Sequence, residues 1–472
     1  MRICLDVLQR MLRDSRFDTQ CRRVGLEIEF NLVDSAGLAA MTNTEVLAAI
    51  GESAWESELG QFNIELNADP VPLTPEVFSV LEGSICRIIT DAEKRALEVA
   101  GSRLVMVGIL PSLRRIDTHD QVISPNPRYK LLNDQIMEAR GEEMRISVEG
   151  PEPLQTYVDN IMPEAACTSL QCHLQVGPHE FPSYWNAAQA VAGIQVAVGA
   201  NSPFLFGHEL WRETRIILFE QATDTRSEEM KCQGVRPRVW FGERWITSAL
   251  ELFEENLRYF PTLLPLREDE DPVAALDRGE VPALAELALH NGTVYRWNRP
   301  VYAVADGLPH LRVENRVLPA GPTLIDVLAN AAFYYGLVHE LAVAERPVWT
   351  RMSFGAAADN LRAGARLGLD AEVYWPGCGL IPVTELVLRH LLPLAARGLE
   401  RWGVDGPDAS RLLSIIEQRC LTGQNGAAWQ VNSVRRLRER GIADRAEALR
   451  LMTQGYIEHM TSREPVHSWP LM

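Results

Sequence analysis

The chain has 472 residues, 46% of them hydrophobic and 23% charged, which excludes the disordered and fibrous classes and leaves room for one large catalytic domain with an addition, or two to three ordinary domains. With 63 acidic against 46 basic side chains the formal net charge is -17, which repels phosphate backbones and anionic lipid alike and argues against nucleic acid or a membrane as partner. The eight cysteines are scattered without a CxxC pair, no signal peptide opens the chain, and no apolar run is long enough to span a bilayer, so free thiols and a cytoplasmic protein are expected.

The opening segment MRICLDVLQRML has the spacing of a short amphipathic helix. In Val24-Gly25-Leu26-Glu27-Ile28-Glu29-Phe30 the apolar residues alternate with Glu27 and Glu29, so a strand here points both carboxylates to one side, roughly 7 Å apart along the chain. Gln61 to Asn67 repeats the device, with Asn63, Glu65 and Asn67 opposite Phe62, Ile64 and Leu66. Leu170 to Val176 places Gln171, His173 and Gln175 on its polar side. The small-residue run Ala187 to Ala200, interrupted by Gln189 and Gln195, suits close helix packing. The stretch REDEDP at 267–272 reads as an exposed loop. Leu311 to Val317 carries Arg312, Glu314 and Arg316 on one side, a carboxylate between two permanent cations.

Beyond Pro319 the pattern turns helical. Thr323 is placed to cap a helix running to Glu345, with Asp326 in its first turn and Pro347 just beyond the stop. Segments Thr384–Trp402, Pro407–Leu421 and Val431–Met460 share the helical period. The composition shift near Arg346 marks the one boundary drawn, giving a catalytic unit over 1–345 and a mainly helical extension over 346–472. No chemistry attaches to the turn-rich Trp375-Pro376-Gly377-Cys378-Gly379 or to Asn425-Gly426-Ala427-Ala428-Trp429-Gln430, and Cys378 has no identifiable activating base in the sequence.

A single half-polar strand is most simply a strand with one face in water. Four that mix Glu, His, Gln and Arg while excluding Lys suggest something else. Hard divalent cations need several oxygen ligands from different strands, and arginine beside them suits phosphate oxygens. The same groups would also fit a two-metal hydrolase, although such sites usually hold more than one histidine.

The ordered set of motifs resembles the glutamate-cysteine ligase family, in the branch with plant-type and bacterial carboxylate-amine ligases. VGLEIEF resembles its opening acidic strand, QFNIEL the second, ACTSLQCHLQV the strand that follows, ANSPFLFG at 200–207 with Arg212, Arg215 and TDTR at 223–226 its Asn-Ser-Pro loop and continuation, and HLRVENR at 310–316 its closing strand. The resemblance covers Gly25 to Ala332. It implies an α+β, glutamine-synthetase-like fold, a curved antiparallel sheet with flanking helices and here a C-terminal helical layer. It implies ATP and Mg2+ as cofactors, with Mn2+ as a substitute, and small-molecule partners: glutamate or a similar acid, and cysteine or another amine, as in glutathione biosynthesis. Glu27, Glu29, Glu65 and Glu314 would be metal ligands, with His173 a further one. Arg316 would contact the ATP phosphates and act with Glu314 in catalysis, and Arg215 or Arg226 would hold a substrate carboxylate or phosphate. Gln171, Gln175, Asn201 and Arg299 complete the candidate substrate and nucleotide contacts; for Arg299 a surface position stacked on Trp297 is the rival reading. A non-catalytic sensor of the same fold is the other alternative, and a homo-oligomer is compatible with everything above.

Overall fold

The computed structural model describes residues 1–19, 22–265 and 269–472, so Cys21 and, from the REDEDP stretch, Arg267 and Glu268 lie outside the described residues. The four expected strands form and lie in one sheet. Its members are β1 (Arg23–Val33), β2 (Trp55–Ser57), β3 (Asn63–Asn67), β4 (Val71–Pro72), β5 (Arg103–Val105), β6 (Ser169–Val176), β7 (Asn298–Ala305) and β8 (Leu308–Pro319). The order is β7-β8-β6-β1-β3-β2, antiparallel throughout, with β4 and β5 pairing against the two ends of β1. The sheet curls, and helices flank it, which is the α+β architecture the motifs implied.

The alternation read from the sequence decides which face points where. Leu26, Ile28, Phe30, Ile64, Leu66, Leu174 and Val313 are buried on the outer face; the helices Phe181–Gly199 and Leu324–Ala342 pack against the β6–β8 part of the sheet and the helix Asn43–Ile50 against β3. Each such side chain contributes about 1.5–3 kcal/mol of burial, and a one-residue slip of any strand would turn this face and the polar one inside out. The Tyr335 hydroxyl donates to the carbonyls of Gly25 and His173 at 2.9 and 3.1 Å, fastening the second helix to β1 and β6. The small-residue run does pack closely: a Cβ on Gly193 would stand 2.3 Å from the carbonyl carbon of Asn360, in the crossing helix Phe354–Leu367.

The capped helix begins as expected, with the Thr323 hydroxyl accepting from the Asp326 amide at 3.3 Å, and ends at Ala342. The expected segment Val431–Met460 is two helices, Gly426–Glu439 and Arg445–Ser462, broken where Gly441 takes φ 102°. Trp375 to Gly379 closes a hairpin between Glu372–Trp375 and Gly379–Pro382, so the extension is not wholly helical. A hydrophobic core runs unbroken across residue 346, reaching from Cys4 to Trp469, and the buried Asp326–Arg419 ion pair at 2.8 Å ties the two stretches together. Among the described residues no helix is long and apolar enough to cross a membrane, and seven cysteines are free. Cys378 does have a basic neighbour, His390 Nε2 at 3.7 Å from its sulfur, supplied by the chain twelve residues on.

Candidate active site

The sheet register gathers the polar residues of five strands onto the concave face. Glu29 of β1 stands opposite Glu65 of β3, and Glu27 opposite Asn67. Glu27 also faces Gln171 of β6, His173 of β6 faces Glu314 of β8, and Arg299 of β7 faces Glu314 from the other side. Residues from positions 27 to 316 thereby form one cluster.

Its hydrogen bonds are specific. Ser169 donates to Glu29 from both its amide and its hydroxyl at 2.7 Å. Gln171 Nε2 bridges Glu29 and Glu65 at 3.3 and 3.2 Å, while its Oε1 accepts from Arg316. Glu314 is 1% exposed, and one of its oxygens receives Arg299 and Arg316, each at 2.7 Å. Arg299 is therefore an ion-pair partner in the cluster and is not stacked on Trp297. His173 Nε2 lies 3.0 Å from Glu27, and Arg312 Nε donates to His173 Nδ1 at 3.0 Å.

The titration behaviour divides the carboxylates into two sets. Burial works against the charge of Glu314, but Arg299 and then Arg316 outweigh it and hold its carboxyl well below the usual range. Burial likewise opposes Glu27, which His173 keeps low. On the other side, burial raises Glu29. Glu65 is pushed well up by burial and then by Glu58, Glu27 and Glu29. Glu58, just before β3, is pushed up to about 8 by burial and Glu29. Oxygens of Glu29, Glu58 and Glu65 all lie within 4.8 Å of one another. Like charges held this close without a cation are costly, and a divalent ion with oxygen ligands relieves the repulsion, so the donor set fits Mg2+ or Mn2+.

Three cavities follow the concave face along the strand direction, and Glu27 borders all of them. The first, about 400 Å³, has partly apolar walls that include Pro70, Val304 and Leu308, with His173, Gln175 and Arg312 on its floor. The second, about 210 Å³, lies under Phe253 and Leu287 beside Arg299, Arg312 and Glu314. The third, about 270 Å³, holds Glu29, Glu58, Glu65, Glu164 and Arg316.

Glu27, Glu29, Glu65, Gln171, His173, Arg299, Glu314 and Arg316 are thus brought together. Gln175 joins the first cavity and donates to Asp18 at 3.1 Å. Three expected contacts do not reach these cavities. Asn201 is fully buried, donating to the Ala320 carbonyl at 2.8 Å and to the Tyr456 hydroxyl at 2.9 Å. Arg215 spends its guanidinium on Glu213 and the Val317 carbonyl. Arg226 forks onto Asp224 in a separate cavity. The Asn-Ser-Pro loop is a structural joint: buried Glu213 accepts from the Asn201 amide at 2.8 Å and the Ser202 hydroxyl at 2.7 Å.

Sequence reasoning missed Glu58, Glu164 and Arg128, all of them on the cavity wall. Glu58 sits before the alternating run, and Glu164 sits in the short helix Met162–Ala166, so strand periodicity gives neither away.

Carboxylates fit for metals, converging with arginines fit for phosphate on the inner face of a curled antiparallel sheet, agree with the class the motifs indicated, the carboxylate-amine ligases. The chain belongs to glutamate-cysteine ligase family 2, whose family model matches residues 23–460, nearly the whole chain and most of the C-terminal stretch. Among solved structures it is similar to the glutamate–cysteine ligase of Francisella tularensis in complex with AMP, with a TM-score of 0.53 and 12% identity over 97% of this chain and 91% of that one. It is also similar to a bifunctional glutathione synthetase from Pasteurella multocida, with a TM-score of 0.51 and 12% identity over 98% of this chain and 55% of that one, about half of that protein's length. These two likenesses concern the fold. No curated protein matches the chain in sequence.

Proposed function

We propose that this protein is an ATP-dependent ligase that phosphorylates a carboxylate, with the side chain of glutamate as the first candidate, and joins it to an amine, with cysteine the first candidate, releasing ADP and phosphate. The observation that carries this reading is the opposition within one concave face: Arg299 and Arg316 converge on Glu314, facing the mutually repelling trio Glu29, Glu58 and Glu65. A hydrolase reading has less support, because among the described residues His173 is the one histidine within 4.0 Å of a carboxylate of this cluster.

Glu27, Glu29, Glu58, Glu65, Glu314 and His173 would hold divalent cations, which when bound would neutralise charge on the transferring phosphoryl group. The first cavity, with its apolar side walls, suits the adenosine end of ATP. Arg316 and Arg299 orient the phosphates toward the third cavity, where the donor acid is placed. An oxygen of that acid forms a bond to the terminal phosphorus as the bond to ADP breaks. The neutral amine then attacks the acyl carbon, the C–N bond forms, the C–O bond to phosphate breaks, and the proton lost from nitrogen passes to water or to a cavity carboxylate. Substrates filling the three cavities would displace water and limit competing hydrolysis of the acyl phosphate.

The test is ADP release from ATP and Mg2+ with glutamate and a panel of amines that includes cysteine. Release that needs both an acid and an amine is the expected result. Nucleotide binding without release for any pair favours a sensor, and hydrolysis of a substrate without ATP favours the two-metal hydrolase.

A further inference from the structure

We propose that Arg215 is a positioning residue for Arg316: it locks a β-bulge that decides where the Arg316 guanidinium points. This rests on the reading above, in which Arg316 meets the ATP phosphates. The pairing of β8 with β6 is regular up to Asn315, which faces Cys172, and resumes at Leu318, which faces Leu170. Arg316 and Val317 therefore both stand opposite Gln171, two residues against one, and neither has a register partner on β7. Unbroken alternation from Glu314 would put Leu318 on the concave face beside Arg316. With the bulge, Leu318 returns to the outer face under the helix Phe181–Gly199, where a Cβ on Gly199 would stand 3.0 Å from its Cδ2. Arg316 keeps its place in the third cavity. Bulges beside functional sites re-aim side chains in this way.

A bulge takes backbone groups out of the ladder, and those on either side of Arg316 are held by Arg215 or by a residue packed against it. Arg215 Nη2 donates to the Val317 carbonyl at 2.7 Å. The Arg316 amide donates to the Trp297 carbonyl at 2.9 Å, and the Arg215 guanidinium lies over the Trp297 ring, 5.9 Å from its centroid. Nε of the same guanidinium donates to Glu213 at 3.1 Å, and Glu213 is fixed in turn by the Asn201 amide and the Ser202 hydroxyl. Arg215 and Glu213 are 3% and 0% exposed, so the charge-assisted bond to Val317 acts in an interior of low dielectric. A shorter or neutral side chain in place of Arg215 would leave the Val317 carbonyl buried without its partner. The bulge would then relax, and Arg316 would swing away from Gln171 and Glu314.

The experiment is calorimetric titration of the full chain with Mg2+ and a non-hydrolysable ATP analogue. It compares the native protein, Arg215→Lys, Arg215→Gln and Arg316→Gln, and each Arg215 variant combined with Arg316→Gln, with melting curves to identify the variants that fold. Arg215→Lys keeps a charge beside Glu213 but not the fork that also reaches Val317, so it carries the comparison where Arg215→Gln does not fold. The expected result is that each folded Arg215 variant binds the analogue about fivefold more weakly than the native protein. The same substitution should cost less than about twofold once Arg316 is already Gln, because the interaction it serves is gone. Unchanged affinity in Arg215→Lys would overturn the assignment. So would an equal loss with and without Arg316, which is what a general loosening of the fold gives. A native protein that binds no analogue would overturn the ligase reading and this assignment with it, whereas binding without ADP release would leave the positioning result intact and count against turnover alone.

Discussion

Gln430 donates from Nε2 to Asn201 Oδ1 at 2.8 Å, across 229 residues of chain. The same Gln430 nitrogen reaches the Asn201 carbonyl at 3.3 Å, and a Cβ on Gly426 would stand 2.0 Å from Asn201 Oδ1. The Asn-Gly-Ala-Ala-Trp-Gln segment of the C-terminal stretch is therefore the clamp on the Asn-Ser-Pro loop, and through Glu213 and Arg215 that loop is tied to the Val317 carbonyl next to Arg316. Gln430→Leu removes one partner of a buried, fully enclosed pair and should cost about 2 kcal/mol in denaturant unfolding. A loss under about 0.5 kcal/mol would show that the clamp carries no weight.

Glu58→Gln should abolish ADP release and weaken Mg2+ binding at least tenfold, since it takes a charged oxygen from the trio that fits the ion. In cation-free buffer the same substitution should leave the melting temperature equal or higher, because burial and Glu29 already push this carboxyl up to about 8 and a neutral amide adds no charge in its place. Added Mg2+ should raise the melting temperature of the native protein by mass action and do so far less for the variant. An unaltered response to Mg2+ would remove Glu58 from the ion site.

Arg316→Lys should lower kcat at least 100-fold. Arg316 uses one nitrogen on both Gln171 and Glu314, and a point charge on a flexible stem cannot keep that geometry and also face phosphate. Activity within threefold of the native protein would place the phosphates elsewhere.

Glu314→Gln should be harsher on the fold than Glu58→Gln. Glu314 is buried and neutralises two half-buried arginines, and losing its charge leaves both without a counter-charge, a change on the order of 3 kcal/mol. The comparison of the two variants by chemical denaturation separates the roles: comparable stability in both would mean that the Arg299–Glu314–Arg316 group is more hydrated than its burial indicates.

His339 sets a pH dependence away from this site. Burial, with Arg22 and Arg401 behind it, pushes its pKa down to about 4 from 6.5. Its Nδ1 lies 2.7 Å from the Tyr184 hydroxyl, and its ring stacks on Trp402 at 4.3 Å. The fold thus holds the neutral ring, and between pH 6.5 and 4 the unfolded chain takes up a proton that the folded chain refuses. The resulting stability is fully present above pH 6.5 and is lost as pH falls toward 4, a span of about 3 kcal/mol. His339→Gln should be less stable than the native protein at pH 7, with the difference shrinking by pH 4.5. A constant difference over that range would contradict the assignment.

What the sequence determined by itself was the local part of this design. Alternation in VGLEIEF, QFNIELN, LQCHLQV and LRVENRV fixed which side chains share a face, because the strand period of two leaves no freedom once one face is buried. Thr323 likewise fixed a helix start. The sequence could not say that Glu29 meets Glu65 or that Glu314 takes two arginines, since those are matters of strand order and register across hundreds of residues. Nor could periodicity expose Glu58, Glu164 or Arg128, which reach the cavity from a turn, a short helix and a helix start. It also could not tell that Arg215, Arg226 and Asn201 would be consumed inside the protein, because a polar side chain looks the same in a motif whether its partner is a substrate or a buried carbonyl. Only the tertiary structure supplies the partners, and for polar groups the partner is what separates holding a fold together from holding a ligand.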